Sequence, residues 1–234
     1  MKIQSVVGIT FLAAGLLGAS AAQAAEGGGL SLGGRVGTQG LGLELSKSLG
    51  ARVNLRAGLN LFRNDPTIDA NLATGPVDTA VRFDGHVRLK TAGLLADVYA
   101  SPKFHFSAGL LYNASRIRID ARPLGPVTIN DQTYSVDQIG TLNGDATIGG
   151  RWVPYAGIGF GNPVTRDRRV TFLADIGVVF QGPPRLTLRA SQANTDELRN
   201  DVNAAAEQVN REHLDKSYLR YYPVLSLGIG VRLF

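Results

Sequence analysis

The segment ARVNLRAGLNLF, residues 51–62, alternates apolar side chains with arginine, asparagine or glycine along most of its length. Successive side chains of a β-strand point to opposite faces, so this segment predicts a strand with one apolar and one polar face. In a soluble sheet the apolar face is the core. In a transmembrane barrel the apolar face meets lipid and the polar face lines the interior. One strand is compatible with both arrangements.

Five further segments repeat this alternation, and none of them approaches the roughly 18 apolar residues that a spanning helix needs. They are residues 91–100, 104–114, 146–160, 170–181 and 221–234. A sheet in lipid must close on itself, because lipid offers no hydrogen bonds to strands at an open edge. The sequence therefore predicts an all-β protein, a closed antiparallel up-and-down transmembrane β-barrel.

The number of strands depends on residues 30–47, where the apolar positions are even-numbered in the first half and odd-numbered in the second. A tight hairpin at Gln39-Gly40, with Arg35 opposite Glu44, explains this change of phase. One long strand with a bulge explains it too. The hairpin gives eight strands and the long strand gives seven, and the even strand number of bacterial barrels favours the hairpin.

The connections between the predicted strands alternate in length, as in barrels with short periplasmic turns and long outer loops. The short ones are residues 48–51, 101–103 and 161–169, and the long ones are 63–87, 122–145 and 191–217. In the last long loop, Asn194 followed by Glu197 predicts the start of a short helix. Its apolar stripe is Leu198, Val202, Ala205 and Val209. We expect this helix over the barrel mouth, as a solvated loop helix or as a lid or contact surface.

Residues 1–24 have the pattern of a signal peptide. Lys2 is followed by an apolar stretch from Val6 to about Ala19 and by the small-x-small sequence Ala22-Gln23-Ala24. A membrane anchor helix is the alternative, but the stretch is short and lacks a stop-transfer flank. We therefore expect residues 25–234 to be exported and inserted as one domain into the bacterial outer membrane.

The chain carries a formal charge of +5, yet its arginines stand singly within the alternation and do not form a basic run. This argues against nucleic acid as a partner. Strand parity turns a set of titratable side chains inward. They are Arg35, Glu44, Arg52, Arg56, Asp97, His105, Arg151, Asp175 and Arg232. Because buried charges are tolerated when paired, five arginines and three carboxylates predict a salt-bridge network that fixes strand register. A narrow polar path for ions or small solutes is the alternative.

Aromatic side chains near the strand ends are expected to anchor the barrel at the membrane interfaces. They are Tyr99, Tyr112, Trp152, Phe160, Phe180 and Tyr221, while parity turns Tyr155 and Tyr222 inward. We expect Leu233 and Phe234 to form a terminal signal for insertion by the barrel assembly machinery, although Phe234 is out of phase with the lipid-facing stripe. Outer-membrane lipid and lipopolysaccharide are the expected partners, together with a surface partner of the outer loops.

The sequence does not predict an enzyme. His105 and Ser107 have the His-x-Ser spacing of outer-membrane lipid A deacylases, which places a base near a hydroxyl on one strand face. Here the pair adjoins the short turn at residues 101–103, so it lies at the periplasmic end, away from the outer leaflet. The next acid, Asp120, is at the far end of the strand. With no cysteine, phosphate loop, dinucleotide fingerprint or calcium-loop spacing, we expect no cofactor and no metal.

Residues 30–234 resemble the small outer-membrane β-barrel proteins of Gram-negative bacteria, typified by the transmembrane domain of outer membrane protein A. More closely, they resemble a group of uncharacterised outer-membrane proteins. The segments that carry the resemblance are residues 127–148, 154–164, 172–184 and 221–231. The resemblance implies fold and location and transfers no catalytic residue. One departure is Arg232, which stands where such barrels usually have an aromatic residue.

Overall fold

The computed structural model describes residues 28–73, 78–129 and 132–234, so the predicted signal peptide at residues 1–24 lies outside the described residues. The strands are β1 Leu30–Gly37, β2 Gly40–Ser48, β3 Val53–Asn64, β4 Thr67–Ala73, β5 Asp78–Tyr99, β6 Phe104–Asn113, β7 Arg116–Pro123, β8 Val127–Ile129, β9 Gln132–Tyr134, β10 Leu142–Thr147, β11 Trp152–Phe160, β12 Val170–Phe180, β13 Arg185–Ala190 and β14 Tyr221–Arg232. The helices are α1 Val136–Ile139 and α2 Asp196–Val209, followed by a π-helical turn at Asn210–Leu214 and a 3₁₀ turn at Ser217–Arg220. In these described ranges, none of the helices combines the length and apolar character needed to cross a membrane.

Eight strands form a closed antiparallel ring in the order β1, β2, β3, β5, β6, β11, β12 and β14, and β14 returns to β1. At this closing contact Leu32 lies opposite Val231 and Val36 lies opposite Leu227. Each ring strand therefore has a partner on both edges, as a sheet in lipid requires. The ring has the eight strands that were expected, whereas the sheet as a whole has twelve.

A tight hairpin joins β1 to β2, so this region is not one long strand. The two turn residues are Thr38-Gln39, and the φ of 96° at Gly40 is one that favours glycine. The predicted register was wrong by two residues, because the turn is centred one residue earlier than expected. Arg35 lies opposite Gly42, yet it still shares the inner face with Glu44, and their side chains meet diagonally.

Four strands of the twelve-stranded sheet lie outside the ring and form an open sheet that continues from it. The 22-residue β5 belongs to both, since Thr91–Tyr99 pairs with β6 in the ring and Val81–Arg88 pairs with β7 beyond it. We call the strands β4, β5, β7, β10 and β13 the extension sheet. Much of the two segments predicted as long loops, residues 63–87 and 122–145, therefore continues the strands.

Helix α2 packs against β13 of the extension sheet and against the separate β8–β9 hairpin. Its N-cap is Thr195, whose hydroxyl accepts a hydrogen bond from the Leu198 N–H at 3.3 Å, and the prediction of Asn194 was wrong. Past the helix, the Asn210 amide bonds both backbone groups of Leu186 at 2.8 Å. The apolar cluster beneath the helix contains Val127, Tyr134, Ile139, Leu198 and Val202.

The ring is apolar on its outer face and charged on its inner face, the reverse of a soluble protein. On the outside Phe172 is 57% exposed and Ile229 is 56% exposed, whereas inside Asp175 is 7% exposed and Arg56 is 5% exposed. Further exposed apolar side chains on the outside are Leu43, Leu59, Leu94, Phe106, Leu110, Ile158, Ile176, Leu225 and Leu227. The continuous apolar surface is therefore the outer wall, and the charged groups lie within.

Candidate functional site

Arg56, on β3, lies at the centre of a charge network inside the ring. Its Nη2 donates to Asp97 Oδ1 at 2.8 Å and to Ser107 Oγ at 2.9 Å. Both terminal nitrogens donate to Asp175 Oδ1 at 3.2 Å, and Nη1 lies 3.6 Å from Glu44 Oε2. One guanidinium therefore connects β3 with β2, β5, β6 and β12.

Arg35, on β1, extends this network to the strand that closes the ring. Its guanidinium pairs with Glu44 through Nε and Nη2, the second contact measuring 3.0 Å to Oε1. Its Nη1 pairs with Asp175 and donates to Ser226 Oγ on β14 at 3.2 Å. The two-pronged contact with Glu44 uses the fork of the guanidinium, the geometry that makes arginine–carboxylate pairs strong.

His105, on β6, adds an imidazole to the network. Its Nε2 lies 3.3 Å from Asp175 Oδ1, and because a carboxylate only accepts, Nε2 is the nitrogen that donates. Strand β11 leaves the space for this contact at Gly159, where a Cβ would clash with His105 Nε2. The His105 ring also packs 4.9 Å from the ring of Tyr99, whose hydroxyl donates to the Gly161 carbonyl at 3.1 Å.

The structure brings six of the predicted inward residues together and separates three from them. Arg52 lies exposed in the β2–β3 turn, and Arg151 lies exposed just before β11. Arg232 is half-buried near the chain end and donates to the Thr165 carbonyl at 3.4 Å. The six that meet are Arg35, Glu44, Arg56, Asp97, His105 and Asp175. Two guanidinium groups therefore face three carboxylates, in place of the expected excess of arginine.

Ser107 and Ser226 have the inward parity that was expected of them, but they were not among the predicted members of the network. Ser107 bears on the enzyme question, because its hydroxyl donates to Asp97 Oδ1 at 2.6 Å and not to His105. His105 and Ser107 are 2% and 3% exposed. A serine nucleophile needs a base within hydrogen-bond reach, and here both side chains are instead bound to carboxylates of the network. Among the residues that the structure describes, no group of three or more His, Cys, Asp or Glu could hold a metal ion.

An apolar cluster lies inside the ring, between the charge network and the extension sheet. Its members are Leu111, Val153, Tyr155, Val179 and Val224. The Tyr155 side chain lies over two glycines, since a Cβ at Gly157 or Gly177 would clash with its hydroxyl. A pocket of about 60 Å³ between this cluster and the ion pairs is lined partly by Arg35, Arg56 and Tyr155, and it reaches the β1–β2 turn at Gln39.

The predicted interface aromatics lie at two levels of the outer wall, with one exception. Tyr112 and Trp152 contact each other edge to face at 5.2 Å near the extension. Phe160, at the other end of β11, is exposed beside Lys103. Eight residues of strand separate Trp152 from Phe160, about 26 Å along the strand, and a tilt of about 40° reduces this to about 20 Å of height, somewhat less than the roughly 25 Å apolar band of membrane barrels. Tyr99 is the exception, because it is 5% exposed and lies inside the ring.

The two remaining interface aromatics, Phe180 and Tyr221, also face outward. Phe180 and Tyr221 are exposed and contact each other edge to face at 5.7 Å, on the neighbouring strands β12 and β14. Leu233 and Phe234 are exposed at the opposite end of the ring, where the Phe234 carbonyl accepts from the Leu30 N–H at 3.0 Å. The C-terminal residues thus extend the β1–β14 pairing by one further rung.

Two solved structures share this fold. Acinetobacter baumannii CarO2 matches with a TM-score of 0.52 and 18% identity, over 87% of this chain and 98% of that one. Acinetobacter baumannii CarO matches with a TM-score of 0.51 and 19% identity, over 87% and 96%. A major outer membrane protein from Thermus thermophilus aligns at 14% identity over 89% and 100%, with a TM-score of 0.43.

The resemblance to outer-membrane β-barrel proteins is confirmed. At identities below 20%, the likeness concerns the fold alone. No protein-family model and no curated protein sequence matches the chain.

Proposed function

We propose that this chain is a non-enzymatic integral protein of the bacterial outer membrane, in which the ring is a closed β-barrel with a structural or surface-interaction role in the envelope. The observation that carries the proposal is the charge network centred on Arg56, which links seven of the eight ring strands. Charges so deeply buried are retained only with full pairing, and here each carboxylate has at least one cationic partner.

The outer wall supports the same proposal. Large contiguous apolar surfaces are rare on soluble monomers, and this wall is apolar around the ring between the two aromatic levels. Lipid would cover that surface, and the closed ring would leave no backbone group unpaired within it. Export with a signal peptide at residues 1–24, and recognition of Leu233 and Phe234 by the barrel assembly machinery, belong to this proposal.

The interior favours a sealed barrel over the alternative of a narrow channel. The ion pairs and the cluster around Tyr155 occupy the interior in succession, and the pocket between them measures about 60 Å³. An ion crossing the ring would have to displace the Arg56 guanidinium from Asp97 and Asp175. The extension sheet, with α2 docked on it, then offers the surface for interactions outside the membrane.

A planar-bilayer recording together with a gel assay tests the proposal. The full chain, refolded into vesicles, should migrate on a detergent gel at a position that changes on boiling, and should give no single-channel current above the lipid background. The double variant Arg56→Ala/Tyr155→Ala is the matched control for conductance, because it empties both layers of the interior. Steady current from the unmodified chain would overturn the sealed interior. A chain that stays soluble and monomeric without detergent would overturn membrane insertion itself.

A further inference from the structure

The outward face of the strands changes its chemistry where they leave the ring. On β5 the outward residues are apolar from Ala92 to Val98, whereas those from Arg82 to Lys90 are four charged side chains and one histidine. The β6–β7 pair changes in the same way, with Tyr112 the last outward apolar residue of β6. The inward face changes in the opposite sense, since it is apolar in the extension sheet where it meets the α2 cluster.

Strand register collects outward arginines on one rung of the extension sheet. Arg88 on β5 lies opposite Arg116 on β7, which lies opposite Thr147 on β10, and Thr147 lies opposite Arg185 on β13. All four side chains are exposed. We call Arg88, Arg116 and Arg185 the arginine row. With neighbouring strands about 4.8 Å apart, its members span about 15 Å of sheet.

The arginine row lacks the counter-charge that several other outward arginines of this surface have. Arg82 pairs with Asp69 at 2.8 Å, and Arg118 pairs with Asp145 at 2.9 Å. Within residues 28–73, 78–129 and 132–234, no carboxylate forms an ion pair with a member of the arginine row. Like charges directly opposite each other destabilise a sheet. The facing arginines on β5 and β7 therefore form a site of unbalanced positive potential.

The height of the arginine row above the aromatic level fits a lipid headgroup layer. Arg116 lies four residues beyond Tyr112, about 13 Å along the strand, and a strand tilt of about 40° reduces this to about 10 Å of height. Arginine side chains reach back toward an interface by laying their apolar stems along the protein surface. Both the cationic groups and the headgroups of the adjacent leaflet therefore occupy the same layer.

We infer that the arginine row binds the phosphate groups of lipids in the outer leaflet. The planar guanidinium binds phosphate through two parallel hydrogen bonds, and two facing guanidinium groups can hold one phosphate between them. A phosphate bound there removes the repulsion between Arg88 and Arg116. This relief favours binding of a lipid that carries a phosphate over one that does not. The inference rests on the proposed membrane insertion, because only an inserted ring puts this rung at headgroup height.

Lipid A retention by the full chain tests the inference. The probe is lipid A with two phosphates, titrated into the refolded protein in neutral detergent micelles and detected by native mass spectrometry. The Arg88→Gln/Arg116→Gln variant should bind it about 10-fold more weakly, and salt should weaken the unmodified chain toward the same level. The matched control is Arg199→Gln/Arg211→Gln, which removes the same charge from exposed, ion-paired positions on and after α2 and should bind as the unmodified chain does.

Separate outcomes distinguish the two proposals. Equal retention by the Arg88→Gln/Arg116→Gln variant and the control, in protein that shows the boiling-dependent gel shift, would overturn the arginine row and leave membrane insertion standing. Full competition by inorganic phosphate at the concentration of the lipid would also overturn it, since the site would then be one for the free anion. Loss of the gel shift in the unmodified chain would overturn both proposals.

Discussion

Replacing Arg56 by methionine should weaken the ring strongly. The substitution keeps the side-chain volume close but removes the hydrogen bonds to Asp97, Ser107 and Asp175. The carboxylates then stay buried with one guanidinium fewer, and breaking a buried ion pair in this way costs about 3–5 kcal/mol. Adding Asp97→Asn to the variant should recover part of this loss, because the second substitution removes a charge that the first left unpaired.

Unfolding by guanidinium chloride of the protein in vesicles, followed by tryptophan fluorescence, measures this loss of stability. Trp152 is the one tryptophan of the sequence and is 69% exposed on the outer wall, so its emission reports transfer from lipid to water. With a slope of about 4 kcal/mol/M, the Arg56→Met midpoint should fall by about 1 M. Arg52→Met makes the same change in an exposed turn and should stay within about 0.5 kcal/mol of the unmodified chain. Equal midpoints for the two variants would refute a stabilising network.

Three further substitutions probe the packing of the ring and of the extension. Gly177→Ala drives a Cβ into the Tyr155 hydroxyl, and overpacking of this kind should lower the free energy of unfolding by about 1–3 kcal/mol in the same assay. Thr195→Ala removes the N-cap of α2 and should cost about 1 kcal/mol, seen as faster hydrogen exchange in the first turn. The hydrogen bond from Tyr134 to Asp201, 2.5 Å long, raises the pKa of the Tyr134 phenol to about 12. An unfolded phenol ionises near its ordinary value of 10.0, so this contribution is complete below that pH and is lost as the pH rises toward 12. Protease sensitivity of α2 should therefore rise in that window, and Tyr134→Phe should be sensitive already at neutral pH.

The sequence predicts which face of a strand a side chain points to better than it predicts which other side chain it contacts. The inward positions of Arg56 and Asp97 follow from local alternation, because parity along a strand does not depend on the rest of the fold. Arg35 and Asp175 are 140 residues apart and meet only across the closed ring. In the sequence, Arg52 and Arg151 continue the same alternation. They lie just outside the strands, however, where alternation no longer fixes the direction of a side chain.

The extension sheet escaped prediction for a different physical reason. Its strands alternate as regularly as the ring does, as Ile117, Ile119 and Ala121 of β7 show. Their apolar face, however, points inward to α2 and their charged face points outward, the reverse of a lipid-facing strand. A search for strands whose apolar face points to lipid therefore assigns such segments to loops. The signal that could have found them is the alternation itself, continued past residue 87 toward the N-terminal half of β5.

Pairing between β1 and β14 also constrains how the ring can form. Leu32 lies beside Val231, so the two ends of the described chain must meet before the last open edges are satisfied. Until β14 arrives, β1 and β12 each present a row of free backbone groups, which lipid disfavours and which invites aggregation in water. Contacts between residues so distant along the chain form slowly, because the entropy of closing the loop is lost before the contacts are gained. Assembly is therefore expected to finish in one late, cooperative step, and a nascent chain that ends before Tyr221 can collect seven ring strands without being able to hold them in a membrane.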